Sequence, residues 1–264
     1  LLPAPESLGA TEKNLKKFYG WIPVIIGVHV AIPLLINGIE GKLFISQNDV
    51  VHSWANWTGL TQIFIALSLF YGGLTRVSAA FLGMLWLLGI DNLGLKPMLN
   101  SIEFLGFAAF FYLAGRGPYS VDRILFSKLE PNANYIHQAL LFLRICVGIN
   151  FIVYSITERF ANIPNAIIAL EQHPFLNFPA LSNQSFVLVS ACFEMIAGVL
   201  IVLGAFPRTV SIFTLICINA SLTISDWHLL IDYLPVYAAF SIFLIWEPHN
   251  PKQKLLWVEG MRAS

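Results

Sequence analysis

The amino-acid sequence predicts an all-α integral membrane protein with eight transmembrane helices arranged as two fused four-helix bundles. Three observations support this prediction: an apolar composition, eight runs long enough to cross a bilayer, and a similarity between the two halves. Of the 264 residues, 57% are hydrophobic and 11% are charged, and the mean hydropathy is +0.71. Soluble domains carry about 25% charge, and nucleic-acid binding needs a basic surface, whereas the net charge here is zero. The composition therefore excludes a soluble enzyme, a nucleic-acid-binding protein and a disordered protein.

Each predicted span is an apolar run close to the roughly 20 residues that a helix needs to cross the bilayer core. Glycine and proline separate neighbouring spans, because Gly72 and Gly73 end one helix and Gly204 with Pro207 ends another. The predicted spans are about 18–39, 57–74, 77–94, 98–115, 136–157, 184–205, 208–225 and 231–247.

The distribution of Lys and Arg predicts the orientation, since cytoplasmic loops are enriched in both. With the N-terminus inside, eleven of the fifteen basic residues fall on the inner side and three on the outer side. Both termini are therefore expected in the cytoplasm. Residues 1–17 are polar and no small-residue cleavage site follows the first apolar run, so no signal peptide is expected.

The two halves of the chain resemble each other at a fixed offset. Residues 72–78 align with residues 204–210, each closing one span and opening the next, and Gln62 then aligns with Glu194. Four spans in each unit predict parallel repeats related by an axis along the membrane normal. The predicted organisation is an N-terminal tail 1–17, a first unit 18–125, a linker 126–135, a second unit 136–247 and a C-terminal tail 248–264.

Three short segments each contain a distinct sequence motif. Residues 143–148 place Arg144 near the start of an apolar helix, and residues 194–208 run from Glu194 to a Gly-x-x-x-Arg turn. Residues 115–122 form a glycine-rich closing segment with Tyr-Ser-x-Asp. In these features the chain resembles the DoxX family of four-helix membrane proteins, as a tandem duplication of the family's unit.

Each half departs from the family pattern. The first has Ile26 and Gln62 where the family has Arg and Glu, and the second ends in Glu-Pro-His-Asn at 247–250. The resemblance implies a membrane subunit of a quinone-linked redox complex in a bacterial or archaeal inner (plasma) membrane, held in the lipid bilayer beside other membrane protein subunits. Electrons would come from a partner, because the sequence contains no dinucleotide or iron–sulfur motif. The alternatives are a non-catalytic accessory or assembly subunit and a small-solute or ion transporter.

Charged side chains inside the membrane are costly, at about 2.5 to 3.5 kcal/mol each at a helix centre, so they need a partner or a function. Arg144 lies about eight residues into the fifth span and Glu194 about ten residues into the sixth, which places both near the midplane. We expect them to form a bidentate ion pair. Either the pair locks the second bundle, or Glu194 is a catalytic residue that carries a proton to or from a redox or transport site, with Arg144 tuning the pKa of Glu194.

Three further polar side chains are candidates for cofactor binding. His29 lies near the middle of the first span, where it is expected to be a hydrogen-bonded core histidine or, alternatively, the donor to a quinone carbonyl. Gln62 occupies the Glu194 position of the first half, and Glu103 lies in the fourth span. Glu103 is alternatively expected to extend to the outer interface. Haem b is not expected, because His29 and His137 differ in depth by about 13 Å. No metal site is expected, since the sequence contains no CxxC, HxH or HxxxH spacing.

Overall fold

The computed structural model describes residues 11–126, 131–171, 182–222, 227–246 and 250–262, and this part of the chain is helical. Within these described residues, each predicted span lies mostly in helix, although the fourth is interrupted. The helices are α1 (Glu12–Ile39), α2 (His52–Tyr71), α3 (Thr75–Leu93), α4 (Leu95–Leu99), α5 (Glu103–Ala114), α6 (Val121–Leu125), α7 (Ile136–Tyr154), α8 (Ile163–Glu171), α9 (Asn183–Leu203), α10 (Pro207–Leu222), α11 (Trp227–Ile245) and α12 (Pro251–Arg262).

Five stretches of the described chain are long and apolar enough to cross a membrane, and two more helices are apolar but shorter. The chain is therefore an all-helical membrane protein, while the number of eight spans remains a prediction. The long stretches are α1, α3, α9, residues 133–160 around α7, and residues 228–245 of α11, and the shorter helices are α5 and residues 207–220 of α10.

The fourth predicted span, 98–115, is wrong as a single helix. The chain instead forms the short α4, turns at residues 100–102 and begins again as α5 at Glu103. Gly94, at a φ of 89°, separates α3 from α4, and Pro97 lies in the first turn of α4, a position that tolerates proline. As a result the N-terminus of α5 lies inside the helical bundle, where Glu103 is buried and the N–H groups of Phe104 and Leu105 donate to the carbonyls of Ser101 and Ile102.

The long helices form a closed ring in which each packs against two neighbours. The order around the ring is α1, α2, α3, α5, α7, α9, α10 and α11, which returns to α1. The main helix contacts between the predicted units are α5 with α7 and α11 with α1, and the largest buried hydrophobic cluster draws residues from both units. The two units therefore share a core, and their origin by duplication remains a prediction.

Two interhelical turns have the same backbone conformation. Gly72 and Leu74 between α2 and α3 have φ values of 69° and 57°, and Gly204 and Phe206 between α9 and α10 have 71° and 51°. The left-handed conformation is easy for glycine and uncommon for other residues. The sequence match at an offset of 132 residues therefore corresponds to a matching local structure.

A buried arginine caps the first of these turns. Arg116 donates from Nε to the carbonyl of Leu69 at 2.6 Å and from Nη2 to that of Phe70 at 3.2 Å. These carbonyls belong to the last turn of α2, where the helix dipole favours a cation. Burial lowers the pKa of Arg116 to about 10, which leaves the guanidinium charged at neutral pH. Gly27 on α1 leaves the space that the guanidinium fills.

A carboxylate from the same closing segment caps the helix on the other side of the turn. Asp122 accepts from the N–H of Leu74 at 2.5 Å and from that of Thr75 at 2.8 Å, at the N-terminus of α3. Its own N–H donates to the carbonyl of Gly72. We call Arg116 and Asp122 the clasp, and the end of the bundle that holds it the clasp end. The opposite end, with residues 40–51 and 100–102, is the loop end.

Both predicted tails contain helix. Residues 12–17 are the first turns of α1, and residues 251–262 form α12, which packs on α1 at the clasp end. Trp257 stacks on Tyr19 with ring centroids 4.7 Å apart, and Lys16 pairs with Glu259 at 2.8 Å. Residues 1–10 lie outside the described part of the chain.

Candidate functional site

A cavity of about 170 Å³ lies among α5, α7, α9, α10 and α11, toward the loop end. Its lining combines apolar side chains with charged, amide and hydroxyl groups. The apolar part includes Phe151, Phe193, Ala197, Ile218 and Val236. The polar part includes Glu103, Asn150, Tyr154, Arg159, Glu194, Thr214, Asp232 and Tyr233. A mixed lining of this kind is typical of a binding site for a small organic molecule.

Glu194 lines this cavity as one half of an ion pair with Arg159. Arg159 Nη2 lies 3.5 Å from Glu194 Oε1. Residues 155–160 continue α7 as a π-helical turn, and such turns change the direction in which side chains project and are frequent at functional sites. Sequence analysis missed Arg159 because a boundary set at residue 157 placed it in a loop.

The predicted pair between Arg144 and Glu194 is wrong. The Arg144 guanidinium lies at the other end of α9, where Nη2 is 3.4 Å from the carbonyl of Val202 and Cζ is 5.4 Å from the ring centre of Trp246. Gly204 leaves room for it. The carbonyls at the C-terminus of α9 attract a cation, and the long side chain extends to them rather than to the midplane. Arg144 thus occupies at the α9–α10 turn the place that Arg116 holds at the α2–α3 turn.

Three residues of the lining carry a polar atom that is buried and has no hydrogen-bond partner in the described part of the chain. The atoms are Thr214 Oγ1, Glu194 Oε2 and Arg159 Nε. Thr214 is only 3% exposed, and an unpaired buried hydroxyl is costly unless something fills the space beside it. The lining therefore presents unused hydrogen-bonding capacity to a ligand, on α9, α10 and the π-helical turn.

Glu103 also lines the cavity and is 4% exposed, so the expectation that it extends to the interface is wrong. It occupies the first position of α5, where the helix dipole favours a carboxylate. Asn150 on α7 donates to Glu103 Oε2 at 2.5 Å and to the carbonyl of Asn100 at 2.7 Å. The break before α5 explains the burial, because it draws this carboxylate into the bundle.

Two tyrosines and an aspartate complete the polar wall. Tyr154 lies under Arg159, whose Cζ is 5.8 Å from the ring centre, and Tyr233 faces the same cavity from α11. Asp232 accepts from Ser46 Oγ at 2.5 Å and from Asn37 Nδ2 at 3.1 Å, which ties α11 to α1 and to the loop after it. The apolar runs around these residues gave no signal that they would converge.

Gln62 and His29 lie outside the cavity lining. Gln62 is fully buried, accepts from the N–H of Phe44 at 2.8 Å and donates to the carbonyl of Lys42 at 2.7 Å. It therefore anchors the loop at residues 40–51. His29 is half-buried, with Nδ1 2.8 Å from the carbonyl of Ile25 one turn earlier on α1. Among the predicted site residues, the structure brings only Glu103 and Glu194 together.

Comparison with known proteins supports the resemblance seen in the sequence. Residues 139–225, which include most of α7 and all of α8, α9 and α10, match the DoxX family model. The match lies within the second predicted unit. Searches of curated proteins and of solved structures gave no match.

Proposed function

We propose, from the DoxX domain at residues 139–225 and the cavity beside it, that the chain is a membrane subunit of a quinone-linked redox complex. The cavity would bind the quinone ring. The observation that supports this best is the set of three unpaired buried polar atoms on Thr214, Glu194 and Arg159. A quinone has two carbonyl oxygens, which could accept from Thr214 Oγ1 and Arg159 Nε, and Glu194 Oε2 could accept from a quinol hydroxyl. The quinone ring suits the apolar wall that includes Phe151 and Phe193.

The two carboxyl groups in the wall suit the proton chemistry of a quinone. Reduction of a quinone to a quinol takes two electrons and two protons. A partner redox subunit would supply the electrons, and Glu194 and Glu103 would donate one proton each before being reprotonated from water. Glu194 Oε2 is buried without a hydrogen-bond partner among the described residues, so once Glu194 is protonated this oxygen can donate to a ligand.

We expect Thr214→Val to weaken quinone binding without destabilising the protein. The change removes a hydroxyl that bonds nothing in the described chain and keeps the side-chain shape. One lost hydrogen bond corresponds to roughly a tenfold weaker affinity for decylubiquinone. Equilibrium dialysis with the purified protein measures the affinity, and a melting curve measures stability. Thr209→Val, an exposed position on the same helix, is the matched control. Equal affinity in both variants would contradict binding at Thr214.

We expect Glu194→Gln to retain decylubiquinone while slowing its reduction. Gln has the same shape and can still accept from Arg159, but it cannot deliver a proton, and general acid catalysis contributes at least about 100-fold. Voltammetry of the protein film measures this rate, because an electrode replaces the electron-donating partner. Glu12→Gln, at the clasp end, is the control. An unchanged rate with a lower melting temperature would show that the ion pair only holds helices together.

A second candidate function is ion transport, because the cavity reaches the loop end through Ile45, Gln47 and Asn100. In proteoliposomes under a potassium diffusion potential, a proton-conducting chain would acidify the lumen faster than empty vesicles do. The quinone proposal predicts no such flux. Absence of both flux and decylubiquinone binding would instead support an accessory subunit.

A further inference from the structure

A groove of about 480 Å³ runs along the outside of the bundle between α3 and α5, away from the cavity. Its walls are Val77, Ala80, Phe81 and Met84 on α3 and Tyr112 on α5, with Arg76 at one end. These α3 positions span about 12 Å along one side of the helix. Because α3 is long and apolar enough to cross a membrane, the groove is exposed to lipid.

Arg76 lies at the start of α3, at the clasp end, and its Cζ is 4.9 Å from the ring centre of Tyr112. It forms no ion pair with any acidic side chain in the described chain. The start of a membrane-crossing helix lies at the depth of lipid headgroups, where an unpaired arginine attracts phosphate. The ring of Tyr112 holds the guanidinium beside the groove by a cation–π contact.

We propose that this groove binds one anionic phospholipid, with its phosphate on Arg76 and an acyl chain along Val77, Phe81 and Met84. The groove joins a fixed positive charge at headgroup depth to an apolar channel that leads toward the membrane centre. Val77 and Phe81 are each 38% exposed and Met84 is 47% exposed, so the channel is open along its length. A soluble anion would use only the arginine, and a zwitterionic lipid would bring its own cation close to the guanidinium.

Native mass spectrometry of the purified full chain tests this inference. We expect the first phosphatidylglycerol to bind about fivefold more tightly than phosphatidylcholine with the same acyl chains, the preference that one interfacial arginine provides. Arg76→Gln should remove the preference while leaving the melting temperature unchanged. Ala80→Trp, an exposed position in the groove, should weaken binding of both lipids by occupying the acyl-chain channel.

Lys13→Gln is the matched control, because it removes an exposed positive charge at the clasp end but outside the groove. It should keep the wild-type preference. The same preference in Arg76→Gln as in wild type would overturn the proposal. So would cross-linking of position 84 to a second membrane protein together with no lipid preference, because the groove would then be a protein interface.

Discussion

Gly198→Ala should destabilise the protein by about 2 to 3 kcal/mol, the cost of forcing extra atoms into a packed interface. Gly198 on α9 faces Gly148 on α7, and a Cβ at Gly198 would lie 2.7 Å from the Gly148 carbonyl oxygen and 3.0 Å from the backbone nitrogen of Ile152. Backbone atoms cannot rotate away as a side chain can. Small residues permit this close approach of membrane helices, whose association depends on packing rather than on exclusion of water.

The same substitution at Gly83 should have the opposite effect. Gly83 lies within α3, and the nearest atom to an added Cβ is 3.8 Å away, at ordinary contact distance. Gly83→Ala should therefore stabilise the protein by about 0.5 to 1 kcal/mol, since alanine restricts the unfolded chain and favours helix. Unfolding of both variants in mixed micelles of SDS measures the two free energies. Similar changes at both positions would show that α7 and α9 are not in close contact.

The interface between α7 and α9 also determines the cavity. Glu194 lies one helical turn from Gly198, and Arg159 follows α7 in the π-helical turn. The Arg159–Glu194 ion pair therefore depends on how closely the two helices approach. We expect Gly198→Ala to weaken decylubiquinone binding as well as folding, unlike Thr214→Val.

The sequence was sufficient to predict most of the long helices and that the chain is a membrane protein, because apolar runs and glycine turns are local signals. Glu194 and Glu103 were predicted as site residues because a carboxylate inside a membrane is costly and therefore needs a partner or a function. The sequence could not predict which arginine meets Glu194. Depth along a helix was estimated from Cα positions, whereas Arg144 extends a full side-chain length toward the end of α9.

The interruption before α5 was equally invisible in an apolar run. Residues 98–115 have the length of a span, and the sequence does not show whether Pro97 lies within a continuous helix or before a turn. A turn at this place is stable only if another group forms a hydrogen bond with the backbone carbonyl that the turn leaves without a helical partner. Asn150 on α7 provides a donor for the carbonyl of Asn100, and the carboxylate of Glu103 lies at the new N-terminus. A contact 50 residues away in the chain therefore decides the local structure.

Arg116→Leu should be the most destabilising change at the clasp, at about 3 kcal/mol. It leaves the carbonyls of Leu69 and Phe70 without their donor in a buried site, where each lost partner costs about 1 to 3 kcal/mol. Leucine is also shorter than arginine, so the space beside Gly27 would be left empty. SDS unfolding of the purified protein again measures the loss.

Substitution of two other arginines provides a comparison for the loss of stability expected from Arg116→Leu. Arg123→Leu removes a bond to the carbonyl of Arg262 that is exposed, so it should cost less than about 1 kcal/mol. Arg144→Leu should fall between the two, because Arg144 makes one longer bond, at 3.4 Å, and a contact with Trp246. This order follows from burial and from the number of carbonyls that each guanidinium serves. Equal losses for Arg116→Leu and Arg123→Leu would mean that removal of a positive charge at this end, rather than capping of α2, causes the effect.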